Sequence, residues 1–117
     1  MATMRLVRLV CNNPEDSTGD DDVYILVNGK RVWGPKEMDS SPAEKKTKSI
    51  NYSRDFGSIA EFRVKLFEED RFSPGGDDDL GTFRIHPIPT DPEQTHRFKG
   101  EDHGFKWDYE LIWQVDA

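Results

Sequence analysis

The chain has 117 residues, a net charge of −7, 33% charged and 34% hydrophobic residues, and 3 Trp, 7 Phe and 3 Tyr. That length predicts one domain, spanning 1–117, and the aromatic content is that of a chain with a core rather than a disordered one. A single cysteine, Cys11, excludes an intramolecular disulfide and a Cys-based zinc site, the negative charge argues against nucleic acid as a partner, and no run approaches the ~18 apolar residues of a membrane span.

The N-terminal "MATMRLVRLVCNN" carries two arginines inside its apolar run and no long hydrophobic region, so no signal peptide is expected and a cytoplasmic setting is. Met4 to Val10 reads as a strand, although Arg5 and Arg8 fall on opposite parities. Val23 to Val27 and Lys30 to Trp33 flank Asn28-Gly29, whose tolerance of positive φ makes it a strong hairpin signal. The segment "KEMDSSPAEKKT" is the most loop-like. Ser49 to Ser53 is a further strand. "IAEFRVKLF" (Ile59 to Phe67) alternates with Ala60, Phe62, Val64 and Leu66 inward. Gly81 to His86 and Thr95 to Lys99 follow. Phe105 to Val115 is the clearest strand: Phe105, Trp107, Tyr109, Leu111, Trp113 and Val115 share one parity, with Ile112 the exception. No segment sustains a 3.6-residue period, and prolines punctuate the connections. The prediction is all-β: an antiparallel, eight-stranded β-sandwich.

The acids are unevenly placed. "EDSTGDDD" (Glu15 to Asp22) and "EEDRFSPGGDDD" (Glu68 to Asp79) hold nearly half of the 23. Successive strands of a sandwich run up and down, and both clusters follow odd-numbered strands, so both are expected at the same end. Two carboxylates ~5 Å apart at an effective dielectric of ~20 repel by roughly 3 kcal/mol, and five or six of them would exceed the ~5–15 kcal/mol stability of a domain. Loops splay, acids protonate, or a hard cation enters. Calcium, with 6–8 oxygen ligands in tolerant geometry, suits loop carboxylates better than magnesium or zinc. Neither cluster is an EF-hand loop, and His86, His96 and His103 lack metal-ligand spacing. The plain alternative is that these acids are solvated turn residues.

"DRFSPGGDDDLGTFRI" resembles the third calcium-binding loop of C2 domains, the modules of protein kinase C and the synaptotagmins. That loop reads roughly acid-x-Asp-Arg-Phe, a turn, then Asp-x-x-Gly. Here Glu68, Glu69, Asp70, Arg71 and Phe72 precede the turn, and Asp78, Asp79, Leu80 and Gly81 follow it. The family's first loop places one Asp six residues before another, as Asp16 stands before Asp22. Carried over by position, the resemblance implies Asp16, Asp22, Glu68, Asp70 and Asp78 as calcium ligands, with Asp21, Asp77 and Asp79 in reserve. Glu68 stands where the family has Asp, Val23 where it has Pro, the Asn-Pro-x-Trp-Asn-Glu stretch is missing, and Pro74-Gly75-Gly76 lengthens the third loop.

The resemblance also implies calcium-dependent docking on phospholipid headgroups, as a peripheral membrane protein, with Phe72 as the membrane contact; a monomer is expected. Lys45, Lys46 and Lys48 are candidates for an anionic-lipid patch. Two other readings stay open: a calcium buffer, calcium sensor or calcium-stabilised protein-interaction module that touches no membrane, and a calcium-dependent carbohydrate module with Trp33 or Trp107 as its sugar platform. Catalysis is not expected. The acids lie beside glycines rather than in apolar surroundings that would split their pKa values, and no nucleophile setting is present.

Overall fold

The computed structural model describes residues 1–15, 20–69, 76–102 and 104–117, and the backbone but not the side chains of Asp102 and Phe105. The strands are β1 (Thr3–Asn13), β2 (Asp21–Val27), β3 (Lys30–Met38), β4 (Thr47–Asp55), β5 (Phe62–Glu68), β6 (Asp78–Ile85), β7 (Gln94–Asp102) and β8 (Phe105–Asp116). They form two four-stranded sheets, ordered β4-β1-β8-β7 and β3-β2-β5-β6, with every pair antiparallel. One hydrophobic cluster draws on both: Met4, Leu6, Leu9, Leu111 and Val115 from the first, and Val23, Ile25, Val27, Val64 and Leu66 from the second.

The phase of β1 has a simple resolution. A register shift between Leu6 and Arg8 inserts a bulge, so Met4 and Leu6 point inward before it and Leu9 and Cys11 after it. Both arginines are thereby kept off the core. Arg5 donates to Asp116 and Gln114, each at 2.7 Å, and Arg8 lies 3.6 Å from Glu93. Ile112, the one apolar residue off parity in β8, is buried on the outer face opposite Arg8 and Thr95.

Several boundaries differ from the sequence expectation. β5 begins at Phe62 rather than Ile59, because the chain turns just before it: the Ile59 amide donates to the Phe56 carbonyl at 2.8 Å, and Ala60 is exposed. β3 runs on past Trp33 through Gly34-Pro35 to Met38. Inside "KEMDSSPAEKKT" lies a single helical turn, α1 (Ala43–Lys46), started by Pro42, whose carbonyl accepts from the amides of Lys45 and Lys46.

The strand directions put four connections at one end: β1–β2, β3–β4, β5–β6 and β7–β8. Asp21 faces Met38, Val10 faces Thr47, Glu68 faces Asp78 and Asn13 faces Asp108 in register. The two acidic segments therefore flank the same end, as the alternation of strand direction predicts.

Candidate metal centre at the acidic end

Alternation in two strands aims two acids inward. In β2, Asp21, Val23 and Ile25 share the buried parity, and Asp21 is wholly buried while Asp22 is exposed. In β5, Phe62, Val64, Leu66 and Glu68 share it, and Glu68 is 6% exposed. Glu68 stands opposite Val23 in the ladder, which brings its carboxylate beside that of Asp21. Glu15, arriving from the end of β1, completes a group of three carboxylates with one oxygen each, all within 4.8 Å of one another.

This cluster is held from two directions. Tyr109 in β8 donates its hydroxyl to Asp21 Oδ2 across the two sheets, and the Glu15 amide donates to the same oxygen at 2.6 Å. Burial first, and then the charge of Asp21, push the Tyr109 hydroxyl far above its ordinary pKa, so the proton stays on the phenol. The Glu69 amide donates to the Asp22 carbonyl at 2.7 Å, tying the end of β5 to the start of β2.

Asp78 opens β6 directly opposite Glu68, half-buried. Its orientation depends on a bulge. Leu66 faces Gly81 while Phe67 faces Asp79, so Leu80 is the extra residue and the parity of β6 flips there. Gly81 has φ +143°, and a Cβ on it would lie 2.7 Å from the Phe98 ring. A glycine at this point lets Leu80 and Asp78 face inward together. Asp79 is exposed and accepts the Gly81 amide at 2.9 Å. Asp77 lies on the outer face of its sheet, where it accepts the hydroxyl of Tyr24. Burial, then the bond to Asp77, push the Tyr24 hydroxyl up to about 12.

Lys45, in α1, reaches the acidic end as well. Its ammonium lies 2.7 Å from Asp20 and 2.8 Å from Glu37, and these two carboxylates, Asp20 first, hold its pKa above the usual lysine range. It is part of the local charge balance rather than a lysine open to an anionic surface.

Of the residues expected as ligands, Glu68 lies in the cluster and Asp78 stands beside it; Asp22 faces outward, opposite Glu37. Asp21, held in reserve, takes the inward place. Asp16, Asp70 and Phe72 lie outside the described residues, as does His103. Glu15 was not anticipated, yet it precedes Asp21 by six residues, the spacing that had been read one residue later for Asp16 and Asp22. Among other candidates, Trp33 is no sugar platform: it is only 9% exposed and donates its indole N–H to the Ser49 carbonyl at 3.1 Å. His96 stacks on Phe83, with ring centroids 4.0 Å apart and planes 6° from parallel.

The donor set fits a hard cation. Two oxygens on opposite sides of a calcium ion, each ~2.3–2.6 Å from it, stand about 4.6–5.2 Å apart. The three carboxylates already lie within that span. Carboxylate oxygens with no thiolate or imidazole among them favour calcium or magnesium over zinc.

No protein-family model matches the sequence, and no curated protein matches it. Among solved structures, the chain is similar to one described as "Structure of a C2 domain", at TM-score 0.52 and 17% identity, with each chain covered in full. It is also similar to the C2A domain of plant extended synaptotagmin 1, at TM-score 0.49 and 14% identity over 99% of this chain and 95% of that one. A human group IVD cytosolic phospholipase A2 aligns at TM-score 0.47 and 12% identity, over 99% of this chain and 17% of that one. The fold rests on the first of these, together with the two antiparallel sheets: the chain has a C2-like fold.

Proposed function

We propose that this chain is a non-enzymatic calcium-binding module, a C2-like β-sandwich that docks on phospholipid surfaces when its acidic end is loaded. The observation that carries the reading is the convergence of the half-buried Glu15 with the buried Asp21 and Glu68 at the end of the fold where four connections meet. Solvated turn acids have no reason to be buried, and Asp21 is wholly so. The ligands proposed are Glu15, Asp21 and Glu68, with Asp78 beside them and Asp16 and Asp70 from the flanking connections. A bound calcium ion would offset the carboxylate charge and offer open coordination positions to phosphate oxygens.

The protein's own groups prepare that end. Tyr109 and the Glu15 amide orient Asp21, and Lys45 screens Asp20 and Glu37 so that repulsion does not spread to the rim. In the absence of a cation the remaining negative charge opposes approach to an anionic surface.

The test is a calorimetric calcium titration, paired with melting curves in EDTA, calcium and magnesium, then liposome co-sedimentation. Calcium uptake with a rise in melting temperature of several degrees, and sedimentation only with calcium, is the expected result. Uptake without sedimentation leaves a calcium-stabilised interaction module. Absence of heat and of any melting shift at millimolar calcium defeats the reading.

A further inference from the structure

Among the described residues, no third layer covers the outer face of the β3-β2-β5-β6 sheet. Alternation sends Asp22, Tyr24 and Leu26 of β2 to this face, and Arg63, Lys65 and Phe67 of β5, with Glu69 next in line. The ladders add the two outer strands. In β3, Glu37 stands opposite Asp22 and Arg31 opposite Leu26. In β6, Asp79, Thr82 and Arg84 stand opposite Phe67, Lys65 and Arg63.

Charge on this face is sorted along the strands. A row of residues crosses the middle of the sheet, where Ile25 faces Leu66 and Leu66 faces Gly81. On the side of the acidic end lie Asp22, Glu69, Asp77 and Asp79, with Glu37 held by Lys45 at 2.8 Å. On the other side lie Arg31, Arg63, Lys65 and Arg84, with Glu61 at 2.8 Å from Arg84. Among the described residues, neither Arg63 nor Lys65 forms a salt bridge. Between the two halves runs an apolar strip. Tyr24 stacks on Phe67, with centroids 5.5 Å apart and planes 10° from parallel, and the Arg31 guanidinium lies 3.9 Å over the Tyr24 ring. Phe67 and Leu26 are half-buried, with nothing of this chain layered over them.

The sorting is symmetric about the middle row. Phe67 and Lys65 lie one row to either side of Leu66, and so do Tyr24 and Leu26, which face them. Asp78 faces Glu68, so Glu69 and Asp77 come three rows to one side; Arg63 and the Arg84 that faces it come three rows to the other. We propose that this face binds a second copy of the chain, turned end for end about a two-fold axis that lies in the face along the Leu66 row. Glu69 and Asp77 of each copy then meet Arg63 and Arg84 of the other. Phe67 meets the other copy's Lys65, and Tyr24 its Leu26. A two-fold axis makes every such contact twice, so one self-complementary strip suffices. Sheets packed face to face keep their strands roughly aligned, as this arrangement does.

Other occupants fit less of the face. A polyanion laid along it would meet the acidic half, and a polycation the basic half. Only a partner with the same sorting, reversed, matches both. Four strands ~4.8 Å apart and seven residues at ~3.4 Å give a face of about 19 by 24 Å. That is at the low end for specific interfaces, so the pair is weak and concentration-dependent. The monomer expected from the sequence is then the dilute state. Asp21 and Glu68 face the core instead, so the pair does not depend on the calcium reading.

The experiment is sedimentation velocity of the full chain in EDTA, from micromolar to millimolar protein. The expected result is a climb from monomer to dimer and no further, weakened at least tenfold by high salt, which screens exposed charge pairs. Arg63→Glu sets two acids against each other at both symmetry-related contacts, and Glu69→Arg two bases. Each variant alone should associate at least tenfold more weakly than the native chain. An equimolar mixture of the two should associate again, because the mixed pair has opposite charges at both contacts. Arg63→Gln and Glu69→Gln, which remove charge without reversing it, should weaken association less. Melting temperatures check that each variant is folded. A monomer at every concentration, or a mixture that associates no better than its two components, would overturn the proposal. So would capture of the monomer by heparin without self-association, which would give the face to a polyanion.

Discussion

Asp21→Asn separates a metal ligand from a structural acceptor, because the two roles predict opposite signs. Three carboxylates within 4.8 Å give three repulsive pairs, each worth about 3 kcal/mol at an effective dielectric near 20. The gross repulsion, roughly 10 kcal/mol, is of the order of a domain's whole stability. Asparagine keeps an oxygen for the Tyr109 hydroxyl and the Glu15 amide while removing two of the three pairs. Weakening those two charge-assisted bonds to neutral ones returns about 1 kcal/mol each. The other polar contacts of these acids absorb a further part, which leaves a net gain of about 1–3 kcal/mol in EDTA. For a chain of this length that is a rise of roughly 4–12 °C in melting temperature. In calcium at a hundredfold excess over Kd the native chain gains about 2.7 kcal/mol, whereas the variant, short of one ligand, gains far less. Melting followed by circular dichroism in EDTA and in calcium should therefore show the order of stabilities reversing. If Asp21→Asn lowers the melting temperature equally in both buffers, Asp21 serves only as the acceptor for Tyr109, and the electrostatic reasoning fails.

Gly100→Ala places a methyl inside the Trp107 ring volume, so it should cost about 1–3 kcal/mol in denaturant unfolding and shift the tryptophan emission as the indole leaves Leu80. Burial pushes the Cys11 thiol up to about 12, so its reaction with a thiol reagent at pH 8 should be on the order of a thousandfold slower folded than unfolded; equal rates would place Cys11 at the surface. Burial lowers the pKa of His96 below the ordinary ~6.5, so the folded state prefers neutral imidazole. Its contribution is then complete above pH ~6.5 and is lost as pH falls from there through the lower folded value; His96→Phe should flatten that limb of a stability–pH curve. Arg97 holds the Asp108 carboxylate below its ordinary range, so Asp108→Asn should cost less than about 1 kcal/mol at neutral pH, and this difference should vanish in strong acid once the carboxylate is protonated in both states.

Much of this molecule is written in local pattern. Period-two alternation in Phe105 to Val115 and in Phe62 to Leu66 specifies half-buried strands, because successive side chains of a strand face opposite ways. Asn28-Gly29 specifies the hairpin, with both residues at positive φ in the structure. Alternating strand direction is enough to bring the two acidic segments to one end. The inward choice among neighbouring acids is not written there. In "DDD" any of three residues could face the core, and the decision belongs to the ladder: Val23 faces Glu68, which sets Asp21 inward and Asp22 outward. Bulges hide parity in the same way. The shift between Leu6 and Arg8 made the phase of β1 unreadable, and the one before Gly81 selects Asp78 over Asp79. An extra residue reverses every side chain beyond it, and only the partner strand shows that it is extra. The place of Glu15 in the cluster and the seat of the Trp107 indole belong wholly to the tertiary structure. Each depends on residues from separate strands meeting at one end, and Trp107 depends as well on Gly100, whose missing side chain matters only once β7 lies beside β8.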